Sequence, residues 1–405
     1  MAESAVTARP PEPLAVPQAR GWIVAAVQWL AHDGRLRDDL GATITGLCEL
    51  MQEHGVPIWR FYIGLMTIHP QLRAQAVSWV RGQGVSEEGR RHGIESTPQY
   101  IGSPVAEARR TMKLIRHRLE PPEPGLHKTL TDLADAGATD YLCQAVQLRH
   151  AQAPVVSIST DKPGGFSESD VEQLVALLDY LAPIVESQVN ARVATTVAET
   201  YLGKLTGQRV LDGGIRRGDG QEINAVLWFS DIRDYTRISE KLPPERVLAM
   251  LNEYYEIVGT ALKRQGGEIL KFIGDGVMAI FPVVDAMFLS AACGGAVDAA
   301  RETIECMAGR NIERVAAGEP EIRFGVGLHV GPVTWGNVGT EDRLDFTVIG
   351  AAVNRCARLE SLTKVLGAGV LTSAEFNAVC PRPLKSVGKH RLRGVPQAVE
   401  VFTLA

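Results

Sequence analysis

Residues 268–281, with the sequence EILKFIGDGVMAIF, decide the fold of the second half of the chain. The triplet Gly274-Asp275-Gly276 separates two apolar runs, 268–273 and 277–281. An Asp-Gly pair between two apolar runs is a strong signal for a β-hairpin. The segment therefore predicts two adjacent antiparallel strands, with Asp275 in the turn that connects them.

Strands and helices alternate on both sides of this hairpin. A buried strand is predicted over 225–229, and a helix begins at Pro243-Pro244, where proline is tolerated. After the hairpin we expect helices over 290–307 and 352–366 and strands over 324–330, 345–349 and 370–372. The order strand, helix, strand, strand, helix, strand matches the ferredoxin-like plan (βαββαβ). The predicted class is α+β, with helices covering one face of a largely antiparallel sheet.

The first half of the chain predicts a smaller α/β domain. Strands are expected over 58–68, 77–81, 141–148 and 154–159, and a helical run over 171–205 has apolar residues at helical spacing. Pro183 is expected to kink or restart that helix. The predicted organisation is a flexible tail (1–21), a first domain (22–190), a helical linker (191–221) and a second domain (222–405).

Composition excludes several classes of protein. The 405 residues are 45% apolar and 22% charged, which is ordinary for a globular chain of two to three domains. A net charge of −5 argues against nucleic acid as a partner. The six cysteines have no metal-binding or CxxC spacing, which favours a reducing, cytoplasmic location. We expect neither a signal peptide nor a membrane span.

Two aspartates have positions that suit metal binding. Asp231 follows the 225–229 strand, and Asp275 occupies the hairpin turn. Adjacent strands can bring two such carboxylates together, and Mg²⁺ binds one or two carboxylates plus substrate phosphates. Taken alone, each aspartate is better explained by ordinary turn chemistry.

Five stretches supply further context: FSDIRDYT (229–236), GGEILKFIGDGVMAIFP (266–282), RFGVGLHVGPVTWGNVG (323–339), RLDFTVIGAAVNRCARLE (343–360) and HRLRGVPQAVEVF (390–402). Together and in this order they resemble the catalytic domain of class III nucleotidyl cyclases, the adenylyl and guanylyl cyclases. The resemblance implies that Asp231, Asp275 and the carbonyl of Ile232 bind two ions, Mg²⁺ or Mn²⁺, in each active site.

The resemblance also implies roles for five other residues. Lys271 corresponds to the lysine that reads adenine, and Thr347 to its partner in the purine pocket. Asn354 corresponds to the residue that orients the ribose, and Arg358 to the arginine that stabilises the transition state. Arg393 lies where the family often has a triphosphate-binding lysine.

The implied activity is that of an adenylate cyclase, which converts ATP to 3′,5′-cyclic AMP and pyrophosphate. The family builds its active sites between two catalytic domains, so a homodimer is expected. Two alternatives stay open. One is a guanylate cyclase, against which the donor Lys271 argues because guanine needs an acceptor there. The other is a catalytically silent nucleotide-binding regulator.

The first domain resembles a GAF-type sensor domain, through the pattern PGGFSESDVEQLVALLDYLAPIVE (163–186). The resemblance implies a regulatory domain with a possible small-molecule or ion effector; a dimerisation scaffold is the alternative.

In the second domain, Asp234 lies in the loop that the cyclase resemblance assigns to the triphosphate, and its carboxylate is expected to point outward. His329 and Trp335 are expected to be structural, and the pair Arg109-Arg110 to be a solvated face.

Overall fold

The structure is a computed structural model that describes residues 21–149, 152–283, 285–395 and 397–405. The predicted tail lies outside the described residues except for its last position, residue 21. The chain divides into two compact units, Met1–Val197 and Ala198–Ala405.

The first unit is built on a six-stranded sheet with the order β3-β2-β1-β6-β5-β4, antiparallel throughout. Its strands are β1 (Arg60–Met66), β2 (Leu72–Val80), β3 (Gly84–Arg91), β4 (Ile115–Arg118), β5 (Asp140–Ala145) and β6 (Val155–Thr160). Its helices are α1 (Trp22–His32), α2 (Leu40–Glu53), α3 (Pro104–Thr111) and α4 (Lys128–Asp135), followed by α5 (Glu168–Leu202).

Both faces of this sheet are covered. Leu142 and Ile158 point into a core shared with α1, α2 and α5. Tyr141 and Cys143, on the opposite face of β5, pack with residues of α3 and α4. This alternation follows the two-residue period of a strand. α5 is one continuous helix across Pro183, so of the two predicted outcomes, a kink or a restart, the restart is wrong.

The second unit is a mixed α+β structure, as expected. It contains α6 (Lys204–Leu211), β7 (Gly220–Ile232), α7 (Tyr235–Ser239), α8 (Pro244–Arg264), β8 (Glu268–Ile273), β9 (Gly276–Val283), α9 (Leu289–Ala316), β10 (Phe324–Gly339), β11 (Leu344–Ile349), α10 (Ala351–Leu366), β12 (Val370–Ser373), α11 (Ala374–Val379), β13 (Leu384–His390) and β14 (Val399–Leu404). The sheet order is β13-β14-β12-β10-β7-β9-β8, with β11 paired to β10. Only β10 and β12 run parallel among these described pairs.

Helices lie on both faces of the second sheet. Val226 and Trp228 of β7 pack against α8 and α9, whereas Ala225 and Leu227 pack against α10. The expectation that helices cover one face is therefore wrong, because α10 buries the alternate residues of the central strand. Within the described part of the chain, no helix has both the length and the apolar character needed to cross a membrane.

Candidate active site

Asp231 and Asp275 lie together at one end of the central strands. Ser230 on β7 pairs with Val277 on β9, so Asp231 lies beside the β8–β9 turn that holds Asp275. The Asp231 carboxyl group and the backbone of Ile232 both lie close enough to Asp275 to act on its ionisation. The hairpin thus brings together the three residues expected to bind metal.

The electrostatics of this pair suit a cation. Burial and the neighbouring Asp231 carboxyl raise the pKa of Asp275 to about 7. Two carboxylates this close resist simultaneous ionisation, and a divalent ion would remove that repulsion. The described residues contain no group of three or more His, Cys, Asp or Glu side chains able to hold a metal. Further ligands would therefore be backbone carbonyl groups, water or substrate phosphates.

Two tyrosines of α8 hold the ends of these strands. Tyr255 donates a hydrogen bond of 2.5 Å to the carbonyl of Gly274, and burial raises the pKa of this phenol to about 12. Tyr254 donates a hydrogen bond of 2.7 Å to the hydroxyl of Ser230. Neither tyrosine was assigned a functional role from the sequence. The sequence feature that could have indicated their role is a pair of adjacent tyrosines in an amphipathic helix.

A mostly buried ion pair of Arg233 and Glu360 lies close enough to Asp231 for its carboxyl group to act on Glu360. The Arg233 guanidinium contacts Glu360 at 3.2 Å and also bonds the hydroxyl of Thr363. Burial raises the pKa of Glu360 to about 7, Arg233 opposes this rise, and Asp231 adds to it. Sequence reasoning assigned no role to Arg233 or Glu360, which are far apart in the chain and meet only in the folded structure.

Lys271 on β8 lies beside β11, the strand that carries Thr347. Its ammonium group forms an ion pair with the carboxylate of Asp345, two residues before Thr347. Residues two apart on a strand share a face, so Lys271 is held next to the face that presents Thr347. The side chain of Lys271 is 26% exposed, and Thr347 is buried. Asp345 was not identified from the sequence, although its position two residues before Thr347 could have indicated that it lies on the same face of the strand.

Asn354 and Arg358 lie one turn apart on α10. Asn354 is exposed and Arg358 is half-buried. A Cβ atom added to Gly394 would lie 3.3 Å from Nη2 of Arg358, which places this guanidinium against the turn that contains Arg393. Gly394 has a φ of +72°, a conformation that suits glycine. The fold therefore groups the two arginines at one location, with Arg393 exposed.

Asp234 adopts a left-handed conformation, and its carboxylate pairs with Arg323 at 3.1 Å. Its negative charge is therefore offset within the protein. His329 is buried, and its Nδ1 lies 2.7 Å from the hydroxyl of Ser373. Burial lowers the pKa of His329 to about 4, so the ring is neutral at pH 7. This matches its expected structural role.

Comparison with known proteins relates most of the second unit to one protein family. Residues 220–394 match the family described as the adenylate and guanylate cyclase catalytic domain. The chain is 31% identical over 268 residues to "Adenylate cyclase 1" of Rhizobium meliloti, covering 64% of this chain and 39% of that relative. It is 35% identical over 182 residues to "Adenylate cyclase" of Anabaena cylindrica, covering 44% and 36%. The chain thus spans less than half the length of these relatives.

Among solved structures, the chain resembles an adenylyl cyclase from P. aeruginosa, with a TM-score of 0.44 and 28% identity. The match covers 46% of this chain and 96% of that one.

Proposed function

Because residues 220–394 belong to the adenylate and guanylate cyclase catalytic domain family, we propose that the chain is an adenylate cyclase. The reaction is attack of the ribose 3′-oxygen of ATP on the α-phosphorus, which forms 3′,5′-cyclic AMP and releases pyrophosphate. The observation that carries the proposal is the pair Asp231 and Asp275, held together at the strand ends with the pKa of Asp275 raised to about 7.

Asp231, Asp275 and the carbonyl of Ile232 are the groups that would hold the metal ions, two Mg²⁺ or Mn²⁺ per active site. When bound, such ions lower the pKa of the 3′-hydroxyl group and bind the phosphates. The protein contributes the rigidity of this arrangement, since Tyr255 fixes the Gly274 carbonyl in the turn that carries Asp275.

The remaining catalytic work is positioning and charge stabilisation. Arg358 offers a planar set of donors for the negative charge that develops on the phosphoryl oxygens. Asn354, on the same face of α10, orients the ribose. Arg393, in the turn against which the Arg358 guanidinium lies, binds the triphosphate.

The base-reading residues favour ATP over GTP. The Lys271 ammonium only donates, which suits N1 of adenine, and the Thr347 hydroxyl accepts from the N6 amine. Asp345 holds the ammonium group beside β11. A guanylate cyclase would need an acceptor at position 271 and is the second candidate function.

The active site is proposed to form between two copies of residues 222–405, one supplying the metal ligands and the other the base-reading and transition-state residues. Residues 22–190 are proposed to be a GAF-like regulatory domain, joined by a helical linker over 191–221. The antiparallel sheet with α5 packed on one face supports this assignment.

The test is cyclic nucleotide formation by the purified chain with ATP or GTP, in the presence of Mg²⁺ or Mn²⁺. The matched pair of variants is Asp275→Asn and Asp342→Asn, since Asp342 is an exposed loop carboxylate of the same unit. We expect cyclic AMP from wild type and Asp342→Asn, and at least about a 100-fold lower rate from Asp275→Asn. Preferential formation of cyclic GMP from GTP would favour the guanylate cyclase, and absence of any product would contradict the proposal.

A further inference from the structure

The first unit contains a cavity of about 440 Å³ on the face of its sheet that bears α3 and α4. Its wall is formed by β1, β2, β5 and β6 together with α3, α4 and the segment before α3. A volume of this size accommodates a small organic molecule. All of the lining residues belong to the first unit.

Most charges on the wall have partners. Four lining residues take part in three ion pairs: Arg90 with Glu88 (2.5 Å), Glu95 with Arg73 (2.5 Å), and Lys128 with Asp132 (2.7 Å). The two other charged lining residues, Arg60 and Arg109, form no ion pair with any residue that the structure describes. The cavity therefore has an excess of two guanidinium groups.

Both guanidinium groups are held in place and partly removed from solvent. Arg60 lies over the ring of Tyr62, 5.0 Å from its centroid, and burial lowers the pKa of Arg60. Arg109 donates to the hydroxyl of Tyr100 at 3.1 Å, while its buried Nε has no hydrogen-bond partner among the described atoms. Arg60 on β1 and Arg109 on α3 line this same cavity, and both act electrostatically on the phenol of Tyr62.

A buried cationic donor without an acceptor is costly, and an anion is the group that satisfies it. Planar guanidinium groups bind carboxylate and phosphate oxygens with two parallel hydrogen bonds. The rest of the wall combines apolar and aromatic residues, among them Met66, Val105 and Tyr141, with polar ones such as Gln75 and Ser157. This lining suits an organic body rather than a bare inorganic anion.

We propose that this cavity binds a small organic anion, an aromatic carboxylate or phosphate monoester, whose charged group is held by Arg60 and Arg109. From the sequence, the pair Arg109-Arg110 was expected to form a solvated face. Only Arg110 is exposed, because α3 turns Arg109 toward the cavity. The signalling consequence of binding rests on the regulatory role proposed above, but binding itself does not.

The experiment is isothermal titration of the full chain, without nucleotide, with four probes: 2-naphthoate, 2-naphthyl phosphate, the neutral isostere 2-naphthamide, and inorganic phosphate. We expect at least one organic anion to bind saturably and at least about tenfold more tightly than both the amide and inorganic phosphate. The tighter of the two organic anions identifies the preferred headgroup.

Four variants test the assigned residues. Arg60→Gln and Arg109→Gln should each weaken binding of the preferred anion by about tenfold or more. Arg110→Gln, an exposed neighbour on the same helix, should bind like wild type. Circular dichroism checks that each variant is folded, and Arg109→Lys, which keeps the charge, should retain part of the affinity.

Several results would overturn the proposal: no binding of either organic anion, equal affinity for acid and amide, equal affinity for inorganic phosphate, or unchanged affinity in both glutamine variants. Because the titration contains no nucleotide, an inactive cyclase would leave its result standing. Likewise, an active cyclase could accompany a cavity that binds no anion.

Discussion

Replacing Asp275 by asparagine should stabilise the metal-free protein while removing its catalytic activity. In the wild-type chain, Asp275 lies partly buried beside the Asp231 carboxyl, and this environment opposes its ionisation. Asparagine keeps the shape of the side chain and removes the charge. Functional sites often contain such unfavourable charge, which is stable only when the ligand is present.

The size of the effect follows from the pKa. Asp275 is raised from its ordinary value of 3.8 to about 7. Each pKa unit corresponds to about 1.4 kcal/mol, so ionising Asp275 in an unscreened site would cost about 4 kcal/mol. Solvent screening at this partly exposed position reduces the cost to about 1–2 kcal/mol. For a unit of this size, the expected gain in Tm is about 3–6 °C at pH 8.

The sign of the pH dependence is fixed by the direction of the shift. Between pH 3.8 and about 7 the folded state holds a proton at Asp275 that the unfolded state has released. Wild-type stability therefore falls as the pH rises through this window. The advantage of Asp275→Asn should be complete above pH 7, fall to less than half at pH 5, and vanish near pH 4.

The assay is scanning calorimetry in a chelating buffer at pH 8 and pH 5, followed by titration with Mg²⁺. Mg²⁺ should raise the Tm of wild type and leave Asp275→Asn unchanged. The loop variant Asp342→Asn should follow wild type throughout. A lower Tm for Asp275→Asn at pH 8, or an equal gain at both pH values, would refute the reasoning.

Three other expectations can be checked directly. Lys271→Glu combined with Thr347→Cys should invert the preference from ATP to GTP in the cyclic nucleotide assay; unchanged preference would contradict the assigned base-reading role. Arg358→Gln should lower kcat by about 100-fold with little change in KM, whereas Arg355→Gln, which removes an outer ion pair on the same helix, should not. Burial lowers the pKa of His329 to about 4, so as the pH falls from 6.5 to 4 the unfolded state takes up a proton before the folded state does, and stability is lost. His329→Gln should reduce this loss of stability. A Tm–pH curve parallel to that of wild type would exclude this account.

Local sequence patterns were sufficient to predict the helices and strands that have a clear turn signal or a strong apolar periodicity. The β8–β9 hairpin lies where the Asp-Gly signal predicted it, and α10 begins one residue before the predicted helix. The exposed strand β3 was missed, because its polar residues have no apolar alternation to reveal it. β10 continues to Gly339, well past the predicted end, because its second half pairs with β7 and β11.

The identities of the site residues came from motifs whose members are close in sequence. Asn354 and Arg358 share a helix turn, and Asp275 is set by its hairpin, so their relative positions depend on local geometry alone. The proximity of Asp231 to Asp275 follows from the pairing of neighbouring strands.

Contacts between distant segments were decided only by the tertiary structure. Lys271 meets Asp345, and Arg233 meets Glu360, across separations that no local periodicity encodes. The exposure of Arg109 depends on how α3 packs against the first sheet, which determines that Arg109 lines a cavity and Arg110 faces solvent. The sequence alone determined which groups are candidates for the proposed chemistry. Packing determined their partners, their pKa values and the cavity, because burial and distance exist only in the folded chain.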